Sequence, residues 1–166
     1  MLDYKEVALK ANQYLDLCLA SDYGREQQVV NVISSPNVAD ALTYRNMASL
    51  MDPLSTIKIE HFETFDRWIW EWCITQANKQ GHHGPFSAHV FIAPEGGYTF
   101  KEHTDPDDVL VCVVSGEKTM VVEGVEYTLQ AGEELFMPAN VPHYAVNKKA
   151  SVMISLGLEK WMVDKL

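Results

Sequence analysis

Apolar positions follow two regimes along the chain, with a change near residue 84. In the first, Val7, Ala8, Ala11, Tyr14, Leu15 and Leu17/Cys18 recur three and four apart within residues 3–20, the spacing of a helix that buries one face. The β-branched run QQVVNVISS reads as a strand and is punctuated by Ser35-Pro36-Asn37. Asn37 is placed to cap a helix reaching about Met51, where Asp52-Pro53 stops it. Residues Thr56 to Glu60 alternate and predict another strand. Residues 64–80, TFDRWIWEWCITQANKQ, return to helical spacing and end before Gly81, a fitting stop. On that helix Trp68 and Trp72, four apart, are expected to face the core with Ile69, Cys73 and Ile74. Trp70 then points away, toward a partner or the first helix.

From Ser87 the pattern is one of short strands: SAHVFIA, DVLVCVV, EKTMVV, VEYTL, ELFM, HYAV and SVMISLGL, divided by Gly, Pro, Asn and Lys signals. Ser115-Gly116 and Glu123-Gly124 read as tight hairpin turns. Regular short strands of this kind predict a sandwich or barrel. The expected fold class is mainly β with N-terminal helices, an α+β arrangement. It forms a single domain over 1–166, with a helical and mixed part at 1–84 and a β-barrel at 85–159.

Composition narrows the function. The 166 residues suit one domain with a real core. At 47% hydrophobic and 22% charged residues the profile is globular. No apolar run approaches the ~18 residues of a membrane span, and the first residues lack a signal-peptide pattern. A cytoplasmic protein is expected, with the nucleus also open. Cys18, Cys73 and Cys112 are widely spaced among apolar neighbours and read as reduced packing residues. The formal charge of −10 argues against a broad nucleic-acid footprint.

The chemistry concentrates between Gly96 and Asn147. His103 and Asp105 stand one residue apart, so on a strand they share a face. His143, after a proline-bearing turn, is the candidate third ligand. Two imidazoles and a carboxylate form the facial triad of non-haem Fe(II) oxygenases, which leaves coordination positions open. His82 and His83, in a Gly/Pro loop, read as solvated.

These residues carry a resemblance to the cupin superfamily. Gly97, His103-Thr104-Asp105 and Gly116 match its first motif; Gly132, Pro138, Val141-Pro142-His143 and Asn147 match its second. The second histidine of the first motif is Asp105 here, and the later acid falls in the apolar Val109-Leu110, so Asp105 takes over the carboxylate role. Asn140 replaces a turn glycine and also tolerates left-handed backbone. The HxD pattern with a distant histidine resembles the JmjC-type branch, the Fe(II)/2-oxoglutarate oxygenases. The similarity to ribosomal-protein hydroxylases and to the asparaginyl hydroxylase of hypoxia signalling runs through about residues 62–159.

The resemblance implies a double-stranded β-helix (cupin or jelly-roll barrel) holding Fe(II) on His103, Asp105 and His143. It also implies 2-oxoglutarate as co-substrate, its distal carboxylate held by Lys118, fifteen residues beyond His103. A lysine facing a barrel interior needs an anionic partner, because an unpaired buried ammonium is strongly disfavoured. His89 and Phe91 stand where the ribosomal branch tends to have Asn and Tyr. Phe91 has no hydrogen-bonding group, so His89 or Tyr98 is expected to compensate. Retention of Asp105 favours hydroxylation over halogenation. The implied target is an amino-acid side chain in a peptide or protein, with small molecules also open, and the fold implies a homodimer. Two alternatives stand beside this reading: a metal-dependent cupin dioxygenase or isomerase that does not use 2-oxoglutarate, and a non-enzymatic ligand-binding cupin.

Overall fold

A computed structural model describes residues 1–21, 27–35, 38–43 and 45–160. The chain opens on helix α1 (Tyr4–Ala20), begun by a capping box in which Asp3 and Glu6 each accept the other's backbone N–H at 2.8–2.9 Å. Strands β1 (Val30–Ser35) and β2 (Val38–Ala41) follow, then a single helical turn, α2 (Met47–Leu50), strand β3 (Thr56–Ile59) and helix α3 (Arg67–Lys79). The remaining strands are β4 (Phe86–Ala93), β5 (Asp108–Val122), β6 (Val125–Gln130), β7 (Glu134–Met137), β8 (His143–Val146) and β9 (Ser151–Leu158). No helix among the described residues is long and apolar enough to cross a membrane.

All pairings are antiparallel, in the order β2-β1-β3-β4-β9-β5-β6, with β7 and β8 also on β5. Strand β5 is the hinge of the barrel. Its first half lies between β9 and β7, and its second half lies between β6 and β8. The strands β1–β3, from the part of the chain before residue 85, continue the same sheet outward from β4.

Strand alternation divides the core in two. Leu110, Cys112 and Val114 of β5, Ile154, Leu156 and Leu158 of β9, and Ala88 and Val90 of β4 pack with Val7, Ala11 and Tyr14 of α1 and Ile69, Trp72 and Cys73 of α3. The intervening residues Val109, Val111, Val113 and Met153 face the barrel interior with Met120, Leu129 and Met137. Strands buried on both faces explain why DVLVCVV and SVMISL read as nearly continuous apolar runs. Each fully buried aliphatic side chain of this set contributes about 1.5–3 kcal/mol.

Three expectations change here. The helix expected from Asn37 to about Met51 is replaced by strand β2, which pairs with β1 through Val32–Asp40 and Ile33–Ala39, and helix survives only at Met47–Leu50. Asn37 itself lies outside the described residues. Trp68 does not face the core. It is 55% exposed against 5% for Trp72, because the buried stripe of α3 runs through Ile69, Trp72, Cys73, Gln76 and Ala77 and leaves Trp68 one position outside it. Its ring lies under the Lys10 ammonium at 5.2 Å, a cation–π contact. Trp70, half exposed, packs on Phe86 with ring centroids 4.9 Å apart.

Ser115-Gly116 is the third correction, since it forms no hairpin. The pairing with β9 shifts register between Val113 and Ser115, and β5 runs on through the irregularity, as a bulge allows. Gly116 has φ +72°, and a Cβ there would lie 2.0 Å from the Ala150 carbonyl oxygen. Glu123-Gly124 does make the expected turn, with φ 49° and 78°, and Gly124 meets open space. Gly124→Ala is therefore expected to cost roughly the 1–2 kcal/mol of left-handed backbone. Gly116→Ala is expected to cost well beyond that, because backbone must also move. Urea unfolding midpoints of the two variants read the difference.

Candidate metal centre

His103 sits in the connection between β4 and β5, and His143 opens β8. The two are joined by reciprocal backbone hydrogen bonds, His103 N to His143 O at 3.1 Å and His143 N to His103 O at 2.9 Å. This isolated bridge is all that forms of the strand expected at His103, because Pro106 cannot donate to a ladder and its neighbours are solvated polar residues. Asn140, at φ +64°, donates its backbone N–H to the Asp105 carbonyl at 2.8 Å. The turn before β8 thus holds Asp105 beside both histidines.

The side chains converge. Asp105 Oδ2 lies 3.1 Å from His143 Nε2 and 3.9 Å from His103 Nε2, and one ligand atom from each of the three residues lies within 4.8 Å of the others. Each imidazole is oriented through its other nitrogen, His103 Nδ1 by the Lys101 carbonyl at 2.8 Å and His143 Nδ1 by the Val141 carbonyl at 2.9 Å. With the Nδ1–H groups engaged, Nε2 is the nitrogen that each ring turns toward a metal, the arrangement that orienting partners provide in metal sites. Without an ion, the hydrogen bond to Asp105 raises the His143 pKa, and the same bond holds Asp105 below the usual carboxylate range against the opposing effect of burial. The donor set, its tautomers and its spacing fit a divalent ion.

The triad opens onto a cavity of about 430 Å³, inside the barrel, whose lining includes Lys118, His89, Tyr98 and Phe91. The structure thus brings His103, Asp105, His143, Lys118, His89 and Tyr98 to one cavity. Lys118 is fully buried, and its Nζ donates to Asn147 Oδ1 at 2.5 Å. No carboxylate pairs with it among the described residues, and burial lowers its pKa to about 8. Asn147 in turn donates to the Gly97 carbonyl at 3.0 Å, and its own carbonyl accepts from Gly96 N at 2.6 Å. It ties the loop before the triad to the lysine. The Nδ1 atom of His89 is buried without a partner, and burial, then the nearby Lys58 charge, lowers its pKa to about 4. That imidazole is neutral at physiological pH. His82, by contrast, bonds the Pro85 carbonyl at 2.7 Å and lies apart from this site.

The sequence reading gives no role to Lys58, which lines the cavity, or to the Asn147 amide that holds Lys118. Lys58 alternates with the buried Ile57 and Ile59, so its inward direction is implicit in the strand period. Asn147 is matched as a motif residue, but nothing in a motif shows that its amide will orient a lysine.

Residues 89–156 match the family model described as the cupin domain. The match spans 68 of the 166 residues, and the antiparallel barrel that they form is consistent with the cupin jelly-roll fold. Cupin domains commonly bind a metal, and here a His-Asp-His group stands ready to hold one. Among solved structures, the chain is similar to a conserved protein of unknown function from Streptococcus pyogenes, at 17% identity over 76% of this chain and 96% of that one, with a TM-score of 0.48. It is also similar to an RmlC-like cupin from Shewanella frigidimarina, at 18% identity over 68% and 84%, with a TM-score of 0.45. A cupin superfamily protein from Desulfitobacterium hafniense is 20% identical over 44% of this chain and 66% of that one, with a TM-score of 0.42. The sequence finds no match among curated proteins.

Proposed function

We propose that this protein is a metal-dependent cupin enzyme and, more specifically, an Fe(II)- and 2-oxoglutarate-dependent hydroxylase. The observation that carries the reading is Lys118, a buried ammonium without an acidic partner in the same cavity as the triad. A charge held in that state is stabilised when an anion enters.

His103, Asp105 and His143 would hold the iron, which supplies dioxygen activation coupled to decarboxylation of the 2-oxo acid. The Lys101 and Val141 carbonyls keep both Nε2 atoms directed at the ion. His143 gives up the proton that it shares with Asp105 when the metal arrives. Lys118 binds the distal carboxylate of 2-oxoglutarate, and Asn147 fixes the direction of the ammonium. Lys118 is paired in register with the start of the turn after β8, so four residues separate it from the level of His143, about 13 Å along the strand. The lysine side chain and a five-carbon diacid together bridge that length. Phe91, Met120 and Met153 line the walls and keep water from the bound molecules.

Anaerobic addition of 2-oxoglutarate to the Fe(II) protein is expected to produce a visible charge-transfer band that is lost in Lys118→Ala. Phe91, apolar where a hydrogen-bonding side chain is expected, favours the rival in which substrate binds the metal directly without 2-oxoglutarate. The absence of both a band and succinate formation under oxygen would select that rival.

A further inference from the structure

The cavity has a second polar wall. Lys58 of β3 stands opposite Phe91 of β4, which makes His89, two residues along on the same face, its diagonal neighbour at about 7–8 Å. Ser155 of β9 is paired with His89 across the next ladder, and all three line the cavity. The Lys58 ammonium makes a 3.6 Å ion pair with Glu60 Oε1, too long for a hydrogen bond, and lies 6.0 Å from the Phe100 ring, so its N–H donors stay open to a ligand. The buried His89 Nδ1 has no partner. The His89 ring itself lines the cavity, where an imidazole with no partner in the protein is a candidate contact for a polar group that the cavity receives. Of the acidic residues on the cavity wall, Asp105 belongs to the triad and Asp107 lies two residues beyond it.

We infer that Lys58, His89 and Ser155 form an anion subsite, separate from Lys118, that binds the carboxylate of a small organic acid as the primary substrate. The inference deepens the reading above, on which it rests for the assignment of Lys118 to the co-substrate. One ammonium, a neutral imidazole and a hydroxyl match a single negative charge, which a carboxylate carries and a phosphate monoester exceeds at neutral pH. The adjoining Phe91, Val111 and Met153 suit a short hydrocarbon body. At about 430 Å³ the cavity is within the range of small-molecule sites. A residue inside a polypeptide brings no such carboxylate unless it is itself acidic.

Butyrate is the probe, titrated calorimetrically into Lys118→Met protein so that the first anchor is gone, with methyl phosphate as the competing anion. Saturable butyrate binding is expected to weaken roughly tenfold or more in added Lys58→Met or His89→Phe, the loss of one charge-assisted contact. His89→Gln, which keeps a neutral polar group, is expected to retain butyrate binding within a few-fold, and methyl phosphate to bind more weakly than butyrate. Butyrate binding that ignores both Lys58→Met and His89→Phe, no binding at all, or tighter binding of methyl phosphate overturns the subsite. A charge-transfer band with 2-oxoglutarate that is lost in Lys58→Met and kept in Lys118→Ala overturns it too, by exchanging the two anchors. If butyrate obeys Lys58 and His89 while 2-oxoglutarate yields no band, the subsite stands and the co-substrate reading alone fails.

Discussion

Replacing Lys118 with methionine is expected to make the protein more stable and unresponsive to 2-oxoglutarate. Burial holds this lysine at a pKa of about 8 against an ordinary 10.5, which corresponds to roughly 3 kcal/mol of destabilisation at neutral pH. Methionine fills a similar volume without charge, but leaves Asn147 Oδ1 unpaired at a cost of about 1 kcal/mol. The net gain of about 2 kcal/mol raises the melting temperature of a chain of this length by about 4–8 °C. The pH dependence has a definite sign. Between pH 8 and 10.5 the unfolded chain holds the lysine proton and the folded chain does not, so the stability of the unsubstituted protein rises with pH over that window. Its deficit relative to Lys118→Met is therefore full below pH 8 and fades toward pH 10.5. With metal present, 2-oxoglutarate at 100 times its dissociation constant is expected to stabilise the unsubstituted protein by about 2.7 kcal/mol and to leave the variant unmoved. Thermal unfolding at several pH values, with and without the diacid, reads all of this.

The second large effect is on the metal. Asp105→Ala removes the carboxylate that lies nearest both imidazoles. Losing an outer partner of a metal ligand already costs roughly 10–100-fold in affinity, so loss of the ligand itself is expected to exceed that. The fold is expected to persist, because the His103–His143 pair is joined through backbone atoms and Asp105 is not part of the core. Metal affinity of the unsubstituted protein is expected to fall on acidification. Asp105 raises the His143 pKa, so protons compete for its Nε2 below that value. Calorimetric titration with Fe(II) under anaerobic conditions, across pH, measures both effects.

How far the sequence reveals this arrangement depends on how local each determinant is. The β4 to β9 strands are legible because each has a turn signal at its end and an apolar side fixed by period two. The ligand set is legible because a two-residue spacing and a proline-bearing turn are themselves local. Pairing between distant strands is not local. Residues 38–41 pass for helix because nothing in them shows that β1 will offer an edge, and the glycine of Ser115-Gly116 is read as a hairpin because a bulge has the same signature. Trp68 is misplaced by one position because four-residue spacing alone does not choose which stripe of α3 the barrel covers. Lys58 and Ser155 come to the cavity through β3 and β9, and only the folded sheet brings them to one wall with His89. The buried state of Lys118 is likewise a property of the closed barrel, although its type and position point to it.

Iron retained after anaerobic dialysis, measured with and without 2-oxoglutarate, tests the metal-and-carboxylate reading of the cavity most directly. The reading predicts one iron per chain in the unsubstituted protein, held more tightly when the diacid is present. It predicts iron without that tightening in Lys118→Met, and none in Asp105→Ala. Equal retention by the unsubstituted protein and Asp105→Ala, or no retention by the unsubstituted protein, would contradict it.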